Sequence, residues 1–186
     1  CLSSLLQSLV HGQRVGFGMG PGVLTGNFPR LCAYGKYLRT HRREVSDLLF
    51  ALVAKAKGAL VNAYAPYSNF KVGAAVLLSN GEVVTGTNQE NASFPVGICA
   101  EGTALSAASS LYPDAAVVAI AVTAKSGNHV LNKPVAPCGV CRQRILEYET
   151  RYKHNIKVIM IGEEGEVYKV STVKDLLPLF FSNSDL

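Results

Sequence analysis

Acidic side chains are missing from the first 43 residues, which hold Arg14, Arg30, Lys36, Arg39, Arg42 and Arg43 and no Asp or Glu. The net charge of +5 for the chain is therefore unevenly placed. Residues 1–43 carry +6, and residues 44–186 set 12 basic against 13 acidic side chains, a balance of −1. A nearly neutral domain lacks the electrostatic footprint of a polyanion binder, which points to a free small molecule rather than DNA or RNA as its partner. No run of about 18 apolar residues occurs, which excludes a membrane-spanning helix. The five cysteines, Cys1, Cys32, Cys99, Cys138 and Cys141, are an odd number with one close C-x-x-C pair, unlike a disulfide framework. Reduced thiols of this kind suit a reducing cytoplasm. Tryptophan is absent, so none flanks Cys138 and Cys141 as a thioredoxin-like redox pair would lead one to expect.

What is present fits a globular domain. The chain has 186 residues, 48% of them hydrophobic and 17% charged. Residues 1–43 are rich in glycine and read as an N-terminal extension: disordered, expression-derived or transit-like. An acid-poor, Arg-containing stretch suits a transit segment, while the scarcity of serine and the lack of a long amphipathic pattern weigh against one. Residues 44–186 read as the functional domain, with regular structure beginning near Glu44.

Val45, Leu48, Leu49, Leu52, Val53, Ala56 and Leu60 recur at helical spacing and predict a helix to about Asn62. Phe70 to Leu78 and Glu82 to Asn88 read as strands joined at the Asn80-Gly81 turn. A helix is predicted from Ile98 to Leu111, a buried strand from Val117 to Thr123, and a helix from Cys138 to Tyr152. Strands at Ile156–Ile161 and Glu166–Val170 and a closing helix from Thr172 to Phe180 complete the pattern. The order α-β-β-α-β-α-β-β-α predicts an α/β fold, a three-layer α-β-α sandwich around a mixed five-stranded sheet.

The chemistry is concentrated in Cys99-Ala100-Glu101 and Pro137-Cys138-Gly139-Val140-Cys141. Zinc favours thiolate ligands in tetrahedral geometry. Cys138 and Cys141 stand three apart, so on the first turn of a helix they face one side. Cys99 begins another helix, and helix N-termini stabilise thiolates. Three thiolates leave one position for water, and Glu101 is placed to carry protons rather than to bind metal. That combination converts an aromatic C–NH2 to C=O, and the pattern matches the zinc nucleobase deaminases. A structural zinc half-site or a redox pair is the alternative meaning of the C-x-x-C. A structural zinc asks for four protein ligands, and the other cysteines, Cys1 and Cys32, lie in the extension.

The segments Ala65-Pro66-Tyr67-Ser68-Asn69-Phe70-Lys71-Val72-Gly73-Ala74-Ala75, Asn88-Gln89-Glu90-Asn91-Ala92, Cys99-Ala100-Glu101 and Pro137-Cys138-Gly139-Val140-Cys141-Arg142-Gln143 resemble the small homotetrameric cytidine deaminases. The resemblance runs in order from about Glu44 to the C-terminus. It implies Cys99, Cys138 and Cys141 as ligands of one Zn2+ per subunit and Glu101 as the catalytic proton shuttle. It implies Asn88 and Glu90 as partners of the ribose hydroxyls, Phe70 as the aromatic against the pyrimidine, and Asn91 and Ala100 as further substrate contacts. Phe94 stands where members often carry Tyr, and Phe181 resembles an aromatic lent across a subunit interface; core packing is the alternative for both. The implied reaction is hydrolysis of cytidine and 2′-deoxycytidine to uridine and 2′-deoxyuridine with release of ammonia, a pyrimidine-salvage step, in a homotetramer with shared sites.

One departure stands out. Members with three cysteine ligands usually continue Cys-Ala-Glu-Arg, whereas residue 102 here is glycine. Zn2+ with three thiolates carries −1, and losing a cation about 4 Å away is worth up to roughly 4 kcal/mol at an effective dielectric near 20. That equals about three pKa units on the coordinated water. Helix dipoles at Cys99 and Cys138 and the nearby Arg142 or Arg144 are the available offsets. The related blasticidin-type deaminases also lack arginine after Cys-Ala-Glu, so a modified cytosine nucleoside is the alternative substrate. A weakly active or non-catalytic nucleoside-binding member is a second alternative, and polynucleotide editing a third, disfavoured by the charge balance.

Overall fold

The structure is a computed structural model that describes residues 38–40 and 47–186. The elements are β1 (Leu38–Thr40), α1 (Asp47–Ala59), β2 (Phe70–Leu78), β3 (Val83–Thr87), α2 (Ala100–Leu111), β4 (Val117–Ser126), α3 (Gly139–Tyr152), β5 (Lys157–Ile161) and β6 (Val167–Val170). They form one sheet in the order β1-β6-β5-β4-β2-β3. All neighbouring strands are antiparallel except β4 and β5, which are parallel and joined through α3.

Side-chain alternation on β2 divides the core between the two faces. Ala74, Val76 and Leu78 point to the layer that holds α2 and α3, where they pack with Leu105, Ile120, Ile145 and Leu146. Ala75 and Leu77 point to the α1 layer and pack with Leu52, Ala56 and Ile159. Nearly all of β4 is buried, as expected for a central strand covered on both sides. The β2–β3 hairpin turns at Asn80-Gly81, where Gly81 adopts φ 91°.

The five predicted strands of a mixed sheet under helices on both faces are all present. A sixth, β1, pairs antiparallel with β6 (Thr40 opposite Val167) and covers that edge. Regular structure therefore begins before Glu44; three residues in a basic, glycine-rich stretch carry no periodic signal. The rest of the extension, including Cys1 and Cys32, lies outside the described residues. The predicted closing helix is also corrected. Only a 3-10 turn, Val173–Leu176, forms there. Pro178 explains the stop, because it disfavours helical backbone at Leu177, which sits at φ −139°. No helix among the described residues is long and apolar enough to cross a membrane.

The pairing brings particular chain ends together. Phe70, the first residue of β2, lies opposite Ser126, the last of β4, and Thr87 at the end of β3 lies opposite Gly73. The segments leading into α2 and α3 both leave from this end of the sheet.

Candidate active site

The two helix starts converge on three sulfurs. Cys99 is the N-cap of α2 and Cys138 the N-cap of α3, and neither thiol is spent on capping its helix. Cys141 follows on the first turn of α3. The sulfurs lie within 4.8 Å of one another, with Cys99 Sγ 3.9 Å from Cys138 Sγ. A tetrahedral zinc with Zn–S near 2.3 Å separates its sulfurs by about 3.8 Å. Cys99 and Cys138 are at that spacing, and Cys141 lies within 4.8 Å of both. The donor set therefore fits zinc, with three soft ligands and one position left open.

Tertiary contacts place α2 here. A Cβ at Gly86 on β3 would lie 2.6 Å from the Ala100 carbonyl and would also strike the Ala104 backbone. Glycine at that point lets the helix lie directly on the strand. The start of α2 is tied further by the paired hydrogen bonds between Gln89 and Ile98 (2.9 and 3.0 Å). Across the same segment, Tyr64 N–H donates to the Asn88 carbonyl and Glu90 N–H to the Tyr64 carbonyl.

The electrostatics follow from these positions. The hydrogen bond with Cys141 lowers the Cys99 thiol to about 6. The same bond, with burial, pushes Cys141 up. Metal binding replaces such a shared proton and requires thiolates. Glu101, 4% exposed, has its carboxyl pushed above the usual carboxylate range by burial. Its own backbone, the Cys141 thiol and the Arg144 charge pull weakly the other way.

A cavity of about 690 Å³ opens beside the sulfurs. Phe70, Asn88, Glu90, Asn91, Phe94, Cys99, Glu101 and Cys138 all line it. Cys141 is buried behind them, as is Ala100 at the first position of α2. Asn88 Oδ1 accepts from Val72 N–H (2.8 Å), and its Nδ2 donates to the Phe70 carbonyl (2.9 Å). One N–H and one lone pair remain on that fixed amide. Glu90 Oε2 accepts from the backbone N–H groups of Tyr67 (2.9 Å) and Ser68 (3.2 Å), and Oε1 accepts from the Ser68 hydroxyl. These bonds, the Ser68 hydroxyl first, hold Glu90 below the usual carboxylate range. Asn91 Oδ1 accepts from Ser93 N–H (2.8 Å), shaping the turn towards α2.

The aromatics divide. Phe70 and Phe94 line the cavity, Phe94 meeting Tyr67 edge to face at 6.0 Å. Phe181 does not; it is exposed, and its carbonyl accepts from Gln143 Nε2 (2.7 Å). Sequence reasoning quoted Tyr67 and Ser68 without giving them a role, and it missed Val135 and Ala136 just before Cys138. The Tyr67-Ser68 turn carried a usable signal in its proximity to Phe70. The Val135-Ala136 pair carried none. Arg142 donates from Nε to the Pro137 carbonyl and from Nη1 to the Leu176 carbonyl. Arg144 instead lies against Gly102.

A buried carboxylate beside a three-thiolate zinc position, opening on a cavity lined by fixed polar groups, defines a hydrolytic deaminase site. Residues 49–156 match the family model described as the cytidine and deoxycytidylate deaminase zinc-binding region. The chain is 42% identical over 137 residues to a cytidine deaminase of Halalkalibacterium halodurans, covering 73% of this chain and 95% of that one. It is 39% identical to a cytidine deaminase of Sporosarcina psychrophila, covering 73% and 92%. The crystal structure of cytidine deaminase from Burkholderia pseudomallei superposes with a TM-score of 0.61 at 42% identity, over 71% of this chain and 98% of that one. This chain belongs to the cytidine deaminase family of zinc-dependent hydrolases.

Proposed function

We propose that this chain hydrolyses cytidine and 2′-deoxycytidine to the corresponding uridines with release of ammonia, using Glu101 to move the protons. The observation that carries the reading is the pairing, in one cavity, of the Cys99–Cys138–Cys141 cluster with the buried Glu101 carboxyl. Cys99, Cys138 and Cys141 would hold the zinc, which when bound acts as a Lewis acid and lowers the pKa of coordinated water. Burial keeps Glu101 basic enough to accept a proton at a carboxylate oxygen and acidic enough to return it. The proton goes first to the pyrimidine ring nitrogen and a second to the departing amine. Water adds at the ring carbon, the C–N bond breaks, and C=O and NH3 result.

Phe70 supports the base from the end of β2. The open lone pair of Glu90 and the remaining donor and acceptor of Asn88 match a sugar hydroxyl, which both donates and accepts. Asn91 completes the pocket wall, and Ala100 lies buried behind it. Phe94 and Phe181 serve at the rim, Phe181 reaching the cavity of a neighbouring subunit in a homotetramer. A cytoplasmic setting keeps the thiols reduced. The test follows the ultraviolet change on converting cytidine to uridine, with and without a strong chelator. Turnover is expected to vanish with the zinc and return when it is restored. Full activity after complete zinc removal contradicts the mechanism.

A further inference from the structure

Gly102 faces a guanidinium. A Cβ at this position would collide with Arg144 Nη1 and come within 3.1 Å of Arg144 Cζ. Gly102 is buried on the first turn of α2, one residue after Glu101, and Arg144 is three residues after Cys141 on α3. The guanidinium therefore sits between the two helix starts that bring the sulfurs together. We propose that Arg144 supplies the positive charge opposing the three thiolates, and that glycine at residue 102 is required to admit it.

The inference deepens the zinc reading and rests on it. Three thiolates and Zn2+ sum to −1, in a place where Cys141 and Glu101 are almost wholly removed from solvent. A permanent cation there stabilises the metal-loaded cluster over the protonated, metal-free one. Arginine is suited to the task because it stays charged when half-buried. The Arg144 guanidinium lies against the turn of α2 that carries Cys99 and Glu101. Arg142 spends its Nε and one Nη1 hydrogen on the Pro137 and Leu176 carbonyls. Arg144 does not line the cavity, so it is a positioning residue that acts through the cluster rather than on substrate.

The experiment is a double-mutant cycle read first in zinc affinity, by competition with a chromophoric chelator. Arg144→Met keeps the apolar stem and removes the charge. It is expected to weaken zinc binding about 10- to 100-fold, while the chelator-stripped protein melts with the parent. In the zinc-saturated enzyme kcat for cytidine is expected to fall while KM holds. Gly102→Ala, which drives the guanidinium out of its place, is expected to weaken zinc binding in the parent but to add almost nothing to Arg144→Met. Zinc affinity within twofold of the parent for Arg144→Met overturns the proposal, as does an additive Gly102→Ala. If Arg144→Met fails to fold, Gly102→Ala alone decides: undiminished zinc affinity there overturns it. A parent protein that takes up no zinc would instead sink the metal reading underneath.

Discussion

Glu101 and Glu90 line the same cavity and are built in opposite ways. Glu101 is buried at the start of α2, where loss of solvent raises its carboxyl. Glu90 is exposed, and three hydrogen bonds from Tyr67 and Ser68 lower it. One environment makes a carboxylate that exchanges protons; the other makes a fixed acceptor that stays charged. Two identical groups pushed apart in this way mark a division of labour. In the proposed mechanism Glu101 handles the chemistry and Glu90 handles the sugar. The comparison breaks if either residue answers to the other's test.

The largest effect is expected from Glu101→Gln. The substitution keeps the shape and removes the proton exchange. We expect kcat to fall about 10²- to 10⁴-fold, with one zinc retained per subunit and KM little changed. Steady-state kinetics and metal analysis on the same sample check this. A kcat within tenfold of the parent would remove Glu101 from its role.

Glu90→Gln is expected to act on binding instead. An amide cannot accept the Tyr67 and Ser68 donors with both of its ends, so the turn loosens and a charged acceptor is lost. KM for cytidine should rise about tenfold or more, with kcat falling less. Free cytosine, which has no sugar, should show little change in kcat/KM. An equal loss for both substrates would show that Glu90 does not read the sugar.

The same contrast explains what could be read from the chain. The Glu90 side of the cavity is local: the Tyr67-Ser68 turn, the nine residues of β2 and the Asn88 to Asn91 segment announce themselves by type and spacing. The identity of the zinc donors was equally legible, because C-A-E and P-C-x-x-C are short motifs with a chemical reason. Their meeting at 3.9 Å was not. It depends on Gly86 letting α2 approach β3 and on the sheet order that aligns both helix starts. Gly102 illustrates the limit best: Arg142 and Arg144 both stood as offsets in the sequence, and only the fold sets Arg144 against it. Gly102 looked like the loss of a charge, whereas a side chain from another helix occupies the space it leaves. Near the C-terminus the error ran the other way, since the closing helix expected from Thr172 to Phe180 is cut by Pro178 to a 3-10 turn.

The smallest and sharpest test is Ser68→Ala. Its hydroxyl is the first cause of the lowered Glu90 carboxyl, and its removal leaves the two backbone donors in place. KM for cytidine at neutral pH should rise only about two- to threefold. The pH dependence should change more. In the parent, Glu90 is depressed and stays ionised until the pH drops below the ordinary carboxylate range near 4. Without the Ser68 bond its pKa rises towards that ordinary value, so protonation begins at a higher pH. The acid-side rise in KM should therefore start earlier in Ser68→Ala than in the parent. Zinc loss in acid affects both proteins alike and cancels when the two KM profiles are compared at matched metal content. Superimposed profiles would mean that the Ser68 bond does not tune Glu90, and the contrast between the two carboxylates would then rest on the backbone donors and on burial.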